Sequence, residues 1–226
     1  MSMSSKSHQV GRRDALRFAG VGLLATTAPI VGCRPEPSPL LAQARTDYSV
    51  ADAPTSKPVC KLTHDNIEGP YYRAGAPERV DLAGSNAVGT RLVVQGCVMT
   101  KDCSRPLAGV ELDVWQANHE GHYDNDGSMQ REDAYLLRGK VRTDANGNYR
   151  IRTIVPGRYL NGKTYRPAHI HVKLRNEGVS DFTTQLYFPG DPYNKADPFI
   201  HPSLVMDVRR ENSLLVARFD FVLSSA

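Results

Sequence analysis

From Lys61 onward the chain is a succession of short apolar runs cut by Gly, Pro, Asn and Asp, and no long segment repeats its apolar residues every 3.6 positions. That pattern excludes a helical bundle and points to an all-β domain. Residues 91–98, 110–116, 148–155, 169–174, 183–188 and 214–223 read as strands. The 110–116 run alternates strictly, with Val110, Leu112 and Val114 on one side and Glu111, Asp113 and Trp115 on the other. Asp144-Ala-Asn-Gly147 before the third run is a hairpin signal, because Asn-Gly accepts positive φ. Residues 129–137 could make one short helix. Turns at this spacing predict a β-sandwich of two sheets with long loops and little helix. A domain of about 165 residues can bury a sizeable core without metal or disulfide help.

The first 33 residues follow a different logic. Arg12-Arg13 precede an apolar run over residues 18–32, and Ile30-Val-Gly-Cys33 closes it. A basic start, a short apolar stretch and small residues at its end describe an export signal. The run is shorter than the roughly 20 residues that cross a bilayer. The arginine pair suggests the twin-arginine route, although Asp14-Ala-Leu-Arg17 departs from the usual residues after it. The ending at Cys33 resembles a lipobox, which would make Cys33 a lipid-bearing N-terminus; the alternative is an ordinary cleaved signal in which Cys33 is incidental. Residues 34–57, rich in Pro, Ala, Ser and Thr, read as a flexible tether, leaving 58–226 as the domain. The expected location is periplasmic or membrane-tethered, with room for a homo-oligomer. Of the net charge of +4, residues 1–32 supply three charges through Lys6, Arg12, Arg13 and Arg17 against Asp14. The rest is nearly neutral, so no basic patch argues for nucleic acid. Cys60, Cys97 and Cys103 allow one disulfide in an oxidising compartment and leave one thiol over.

The chemistry concentrates in Arg166-Pro-Ala-His169-Ile-His171-Val-Lys. Residues two apart on a strand share a face, so His169 and His171 can grip one ion while Ile170, Val172 and Leu174 face a core. The bland alternative is two polar residues on a solvated face. Pro167 suits a strand's entrance, where loops reach the imidazoles. Tyr123, just past the end of the second run, and Tyr159, in Val155-Pro-Gly-Arg-Tyr159, lie in turn-rich surroundings and could complete the site as phenolates. A phenol with pKa near 10 gives up its proton only to a strong, hard Lewis acid. Thiolates would suit zinc, and two histidines with one carboxylate would suit Fe(II); hard anionic oxygens suit Fe(III). There is no Gly-x-Ser-x-Gly and no P-loop.

Five segments now fall in one order: Ile67-Glu-Gly-Pro-Tyr-Tyr72, Leu112-Asp-Val-Trp-Gln-Ala-Asn118 with Gly121-His-Tyr123, Thr153-Ile-Val-Pro-Gly-Arg-Tyr159, Arg166-Pro-Ala-His-Ile-His171, and Thr184-Gln-Leu-Tyr-Phe-Pro-Gly-Asp191. The ordered set resembles the intradiol ring-cleavage dioxygenases, the non-haem Fe(III) enzymes that open catechols and protocatechuate. The resemblance implies that Tyr123 and Tyr159 are the equatorial and the displaceable axial tyrosinate, and that His169 and His171 are the imidazole ligands. It implies that Arg166 lies beside the substrate ring with Gln185 as a polar partner behind it. It also implies that Tyr72 belongs to the stretch at the pocket mouth; Trp115 reads as a wall. The partners implied are a small aromatic ortho-diol and O2, with a cis,cis-muconate-type diacid as product. Two departures bear on substrate and assembly: the loop from Tyr159 to His169 is short for the family, and a leader and tether stand where catechol enzymes carry a helical dimer-forming region. The alternatives are a metal-binding but inactive homologue and a non-enzymatic module. The module reading comes from Pro106-Leu-Ala-Gly-Val-Glu-Leu112 and Thr143-Asp-Ala-Asn-Gly-Asn-Tyr149, which resemble transthyretin-like and carboxypeptidase-regulatory-like domains.

Overall fold

The computed structural model describes residues 60–127, 134–177 and 179–224. The strands are β1 (Arg91–Thr100), β2 (Glu111–Gln116), β3 (Arg138–Arg142), β4 (Asn148–Ile154), β5 (Tyr159–Asn161), β6 (Thr164–Arg166), β7 (His169–Asn176), β8 (Val179–Tyr187), β9 (Asp207–Glu211), β10 (Leu214–Arg218) and β11 (Phe221–Leu223). No α-helix occurs among the described residues. The helix expected over 129–137 falls largely outside them; at its described end Tyr135 and Leu137 are left-handed, with φ of 45° and 55°.

One sheet is built on β1, which pairs antiparallel with β4 on one edge and parallel with β10 and then β11 on the other; β9 extends β10. The other sheet runs β3-β2-β7-β8, antiparallel throughout. Leu92, Val94, Val98, Ile151, Ala217 and Phe221 of the first sheet pack in one cluster with Leu112, Val114, Ile170, Val172, Leu174 and Leu186 of the second. Each large aliphatic side chain buried there contributes about 1.5–3 kcal/mol. The expected sandwich is therefore what forms.

The run read as one strand over 214–223 is two. The chain breaks at Phe219 and Asp220 to cross β1 at Gly96. A Cβ on Gly96 would lie 1.7 Å from the Phe219 carbonyl oxygen, so only glycine permits the crossing. Asp220 then accepts from the Cys97 amide at 3.0 Å. The Asp144–Gly147 turn forms, with Gly147 at φ 74° and its amide on the Asp144 carbonyl at 3.0 Å. It joins β3 to β4, which lie in different sheets, so it is a corner between layers rather than a hairpin. A disulfide links Cys60 to Cys103. The leftover thiol expected from the cysteine count is not found, since no described cysteine is free.

The second sheet is buried on both faces. Register aligns Trp115, His171 and Gln185 across β2, β7 and β8, with His169 opposite Tyr187. All five are at most 2% exposed. They lie on the face away from the apolar core. Residues 60–72 help to cover it: Asn66 donates its amide to Thr183 at 2.8 Å, Gln185 Nε2 donates to the Ile67 carbonyl at 2.8 Å, and Lys173 pairs with Glu68 at 2.7 Å.

Candidate active site

β7 delivers both imidazoles to this covered face, as period-two alternation requires. His169 donates from Nδ1 to the Pro167 carbonyl at 2.7 Å, which directs its Nε2 inward. His171 lies flat against Trp115, ring centroids 4.7 Å apart. Burial, and then the nearby Arg166 guanidinium, pulls the His169 pKa down to about 3. Burial, and then His169, pulls His171 well below the usual imidazole range. Both rings are thus neutral lone-pair donors at ordinary pH.

The phenols come from two loops. After β2 the chain turns at Asn118, whose Oδ1 accepts the Glu120 and His122 amides at 2.9 Å each; the Tyr123 amide then bonds Asp126 at 2.9 Å. Tyr159 opens β5 and pairs with Arg166 of β6. The two loops touch: the Gly157 amide donates to the Asn118 carbonyl at 2.7 Å. Gly121, at φ 96°, lies so close to the other loop that a Cβ would be 2.3 Å from the Arg158 carbonyl oxygen. Burial pushes the Tyr123 phenol well above its ordinary pKa, with Tyr159 adding to the rise. Burial also raises Tyr159, against the pull of Arg166.

The four rings close a circuit. Centroids lie 5.7 Å apart for Tyr123 and Tyr159, 5.6 Å for Tyr159 and His169, 4.9 Å for His169 and His171, and 6.2 Å for His171 and Tyr123. Tyr123 Oη, His169 Nε2 and His171 Nδ1 are buried without a hydrogen-bond partner. Buried polar atoms are rarely left so, because each costs about 1–3 kcal/mol. Three of them in one circuit of potential donors fit a cation. Among the described residues no group of three or more His, Cys, Asp and Glu could hold a metal, so the donor set would be two imidazoles and two phenolates.

A family model described as Dioxygenase matches residues 67–225. The chain is 34% identical over 178 residues to chlorocatechol 1,2-dioxygenase of Pseudomonas sp. strain P51, covering 71% of this chain and 70% of that one. The chain belongs to the intradiol ring-cleavage dioxygenase family. Catechol 1,2-dioxygenase of Acinetobacter baylyi is 36% identical over 153 residues, 60% of this chain and 49% of that one, so the chain spans about half of that relative. Among solved structures, the dioxygenase domain of a dioxygenase carbohydrate-binding protein fusion from Streptomyces sp. SirexAA-E is 42% identical with a TM-score of 0.65, covering 74% of this chain and all of that one. 3-Chlorocatechol 1,2-dioxygenase from Rhodococcus opacus 1CP is 32% identical with a TM-score of 0.67, covering 73% of each. The family match runs through the segments bearing all four rings, which removes the binding-module alternative.

The other expected residues of this dioxygenase-family site divide. Arg166, 4% exposed, donates to Asp197 at 2.7 Å, to Gln185 Oε1 at 2.8 Å and to the Tyr187 hydroxyl at 3.1 Å. It thus holds a carboxylate and also lies beside Tyr159, and Gln185 is the partner behind it. Trp115 is 1% exposed, wedged behind His171. Tyr72, expected at the pocket mouth, turns away: its hydroxyl donates to Asp113 at 3.0 Å and accepts from Arg175 at 2.8 Å. The preceding residue faces the site instead. Tyr71 stacks on Tyr123 at 4.3 Å and meets Tyr159 edge-on at 6.0 Å. Sequence reasoning passed over Tyr71; it sits in the turn that follows Gly69 (φ 73°), where no strand alternation marks which of Tyr71 and Tyr72 faces the rings.

Proposed function

We propose that this protein is a non-haem Fe(III) enzyme that opens the ring of a catechol-type ortho-diol between its two oxygens, using O2 and yielding a cis,cis-muconate-type diacid. The observation that carries the reading is the closed circuit of Tyr123, Tyr159, His169 and His171 with three buried, unpartnered donor atoms. These four residues would hold the metal, and hard phenolate oxygens suit the ferric ion. Bound iron would supply the Lewis acid that gathers both diol oxygens and makes the ring reactive toward O2.

The chain's own groups do the rest. Tyr159 is half-buried where Tyr123 is fully buried, so its phenolate is the one that can give way to an entering diol and take up one of its protons. Arg166 holds fixed positive charge beside Tyr159, where it can stabilise negative charge building on the substrate. Its three hydrogen bonds hold it in position before substrate arrives. Tyr71 and Trp115 exclude water from the Tyr123 and His171 sides.

The substrate class follows the relatives, whose names specify catechol, chlorocatechol and hydroxyquinol. The leader and tether would hold the domain outside the cytoplasmic membrane, and the Cys60–Cys103 disulfide supports an oxidising compartment.

The test combines metal analysis, a visible spectrum and oxygen uptake with catechol, 4-substituted catechols, protocatechuate and hydroxyquinol. Tyrosinate-to-iron charge transfer should colour the loaded protein burgundy, and at least one diol should drive oxygen consumption with a ring-opened product. A colourless iron-loaded protein would overturn the metal reading; a coloured protein that consumes no oxygen would leave an inactive homologue.

A further inference from the structure

We infer that Asp191 is a positioning residue that sets how readily Tyr159 yields its place to the substrate. The inference rests on the proposed iron site. Asp191 is 8% exposed and gathers three donors. Its Oδ2 accepts Arg158 Nε at 2.8 Å and the Ala168 amide at 3.2 Å; its Oδ1 accepts the Tyr193 amide at 3.0 Å. Arg158 immediately precedes Tyr159, and Ala168 immediately precedes His169. One carboxylate therefore ties down the main chain leading into two neighbouring rings of the circuit.

The tether matters more for Tyr159 than for any other ring. His169 also has the β7 ladder and its own bond to Pro167. Tyr123 is buried and held by the Asn118 turn, Asp126 and the Tyr71 stack. Tyr159 begins a three-residue strand whose one partner is the equally short β6, off both main sheets. Its backbone is anchored in front by that hairpin and behind by the Gly157 amide on the Asn118 carbonyl, with the Arg158 side chain adding its bond to Asp191. Arg158 is reachable from a cavity of about 730 Å³ lined by Glu120, Arg158, Tyr165, Asp191 and Tyr193, so this rear anchor is not locked inside the core. Loosening it lowers the cost of swinging the phenol out while leaving the other three rings in place.

Asparagine cannot reproduce the arrangement. With its one carbonyl oxygen facing Arg158 and Ala168, its NH2 would meet the Tyr193 N–H, donor against donor. Arg158→Met cuts only the arm to Tyr159 and leaves both amides on the carboxylate. The experiment titrates ferric-loaded wild type, Arg158→Met, Arg158→Lys and Asp191→Asn with catechol without oxygen, following the visible band. Amide hydrogen exchange at Ala168 and Tyr193 is measured on the metal-free proteins. Losing a charge-assisted hydrogen bond predicts that half-saturation falls about tenfold in Arg158→Met, with the diol-free band unmoved. Arg158→Lys should return most of the way to wild type. Asp191→Asn should show a fall in the same direction together with lost protection at Tyr193, which Arg158→Met retains. A purely structural role would lower melting temperatures and leave the half-saturation point where it was, and that result overturns the inference. A wild type with no ferric band would sink the iron site and this inference together; a normal wild-type band with variants that titrate like it would sink this inference alone.

Discussion

Trp115 lies face to face with His171, ring centroids 4.7 Å apart and planes 8° from parallel. Imidazoles that bind metals usually donate their second nitrogen to an oxygen acceptor that fixes the ring. His169 does so through Pro167; the His171 ring, whose unpartnered Nδ1 is one of the three atoms offered to a cation, makes no such bond among the described residues. Its orientation rests on the indole. Trp115→Ala should therefore destabilise the fold by about 3–5 kcal/mol, the range for emptying a large aromatic site, and lower iron retention besides. Trp115→Phe keeps a stacking face and should retain most of the iron. Denaturant unfolding and metal content after dialysis check the pair; equal iron retention in both variants would contradict the stacking account.

The approach of the Tyr123 and Tyr159 loops makes Gly121 the next sensitive position. An alanine there meets the Arg158 carbonyl oxygen at 2.3 Å and also adopts φ 96° against its preference. The backbone conformation alone costs about 1–2 kcal/mol. The contact is with backbone, so the two loops must part and carry the phenols with them. Gly121→Ala should keep the sandwich, by circular dichroism, while the charge-transfer band shifts or disappears. An unchanged band would mean that the loops tolerate separation.

Much of this arrangement is legible in the sequence, and the failures have physical causes. His169 and His171 could be placed on one face because a strand's period is two, whatever lies around it. Tyr71 could not be separated from Tyr72, because the choice depends on Asp113 and Arg175 capturing the Tyr72 hydroxyl, and both lie far along the chain. β3 was missed because its face alongside Trp115 carries a charge, Arg138, buried against Asp124 at 2.6 Å, and its core face offers only Gly139 and Val141. β9 was missed because an edge strand with exposed Asp207, Arg209 and Arg210 has no apolar face to announce it. The break between β10 and β11 was hidden because it is dictated by Gly96, more than a hundred residues earlier.

Acid should weaken the metal-free protein in a defined window. The folded His169 binds a proton only near pH 3, whereas in the unfolded chain it binds near 6.5. The unfolded state therefore holds more protons between those values, and His171, also depressed, acts in the same direction. Stability is unaffected by these two groups above about pH 6.5 and falls progressively as pH drops toward 3. Denaturant midpoints of the metal-free protein at pH 7.5, 6 and 4.5 measure the fall. Replacing His169 and His171 together with Asn should flatten it, and a slope that survives the double variant would assign the effect to other groups.

The buried phenol of Tyr123 gives the sharpest division between folding and function. Its hydroxyl is desolvated and has no partner in the metal-free protein. Tyr123→Phe removes that oxygen with little change of shape, and so removes a penalty of about 1–3 kcal/mol. The metal-free variant should be more stable than the wild type by that order. The same substitution deletes a proposed ligand, so the variant should bind iron weakly and lack the charge-transfer band that Tyr159 and Tyr123 would share. Tyr159→Phe differs on both counts. Its ring is half-buried beside Arg166, so the metal-free stability should hardly change, while diol binding slows and the visible band shifts. Unfolding curves of both metal-free variants, set beside their iron-loaded spectra, check the contrast. If Tyr123→Phe proved less stable than wild type without metal, its hydroxyl would have a partner inside the protein, and the case for a cation among these four rings would lose its main physical support.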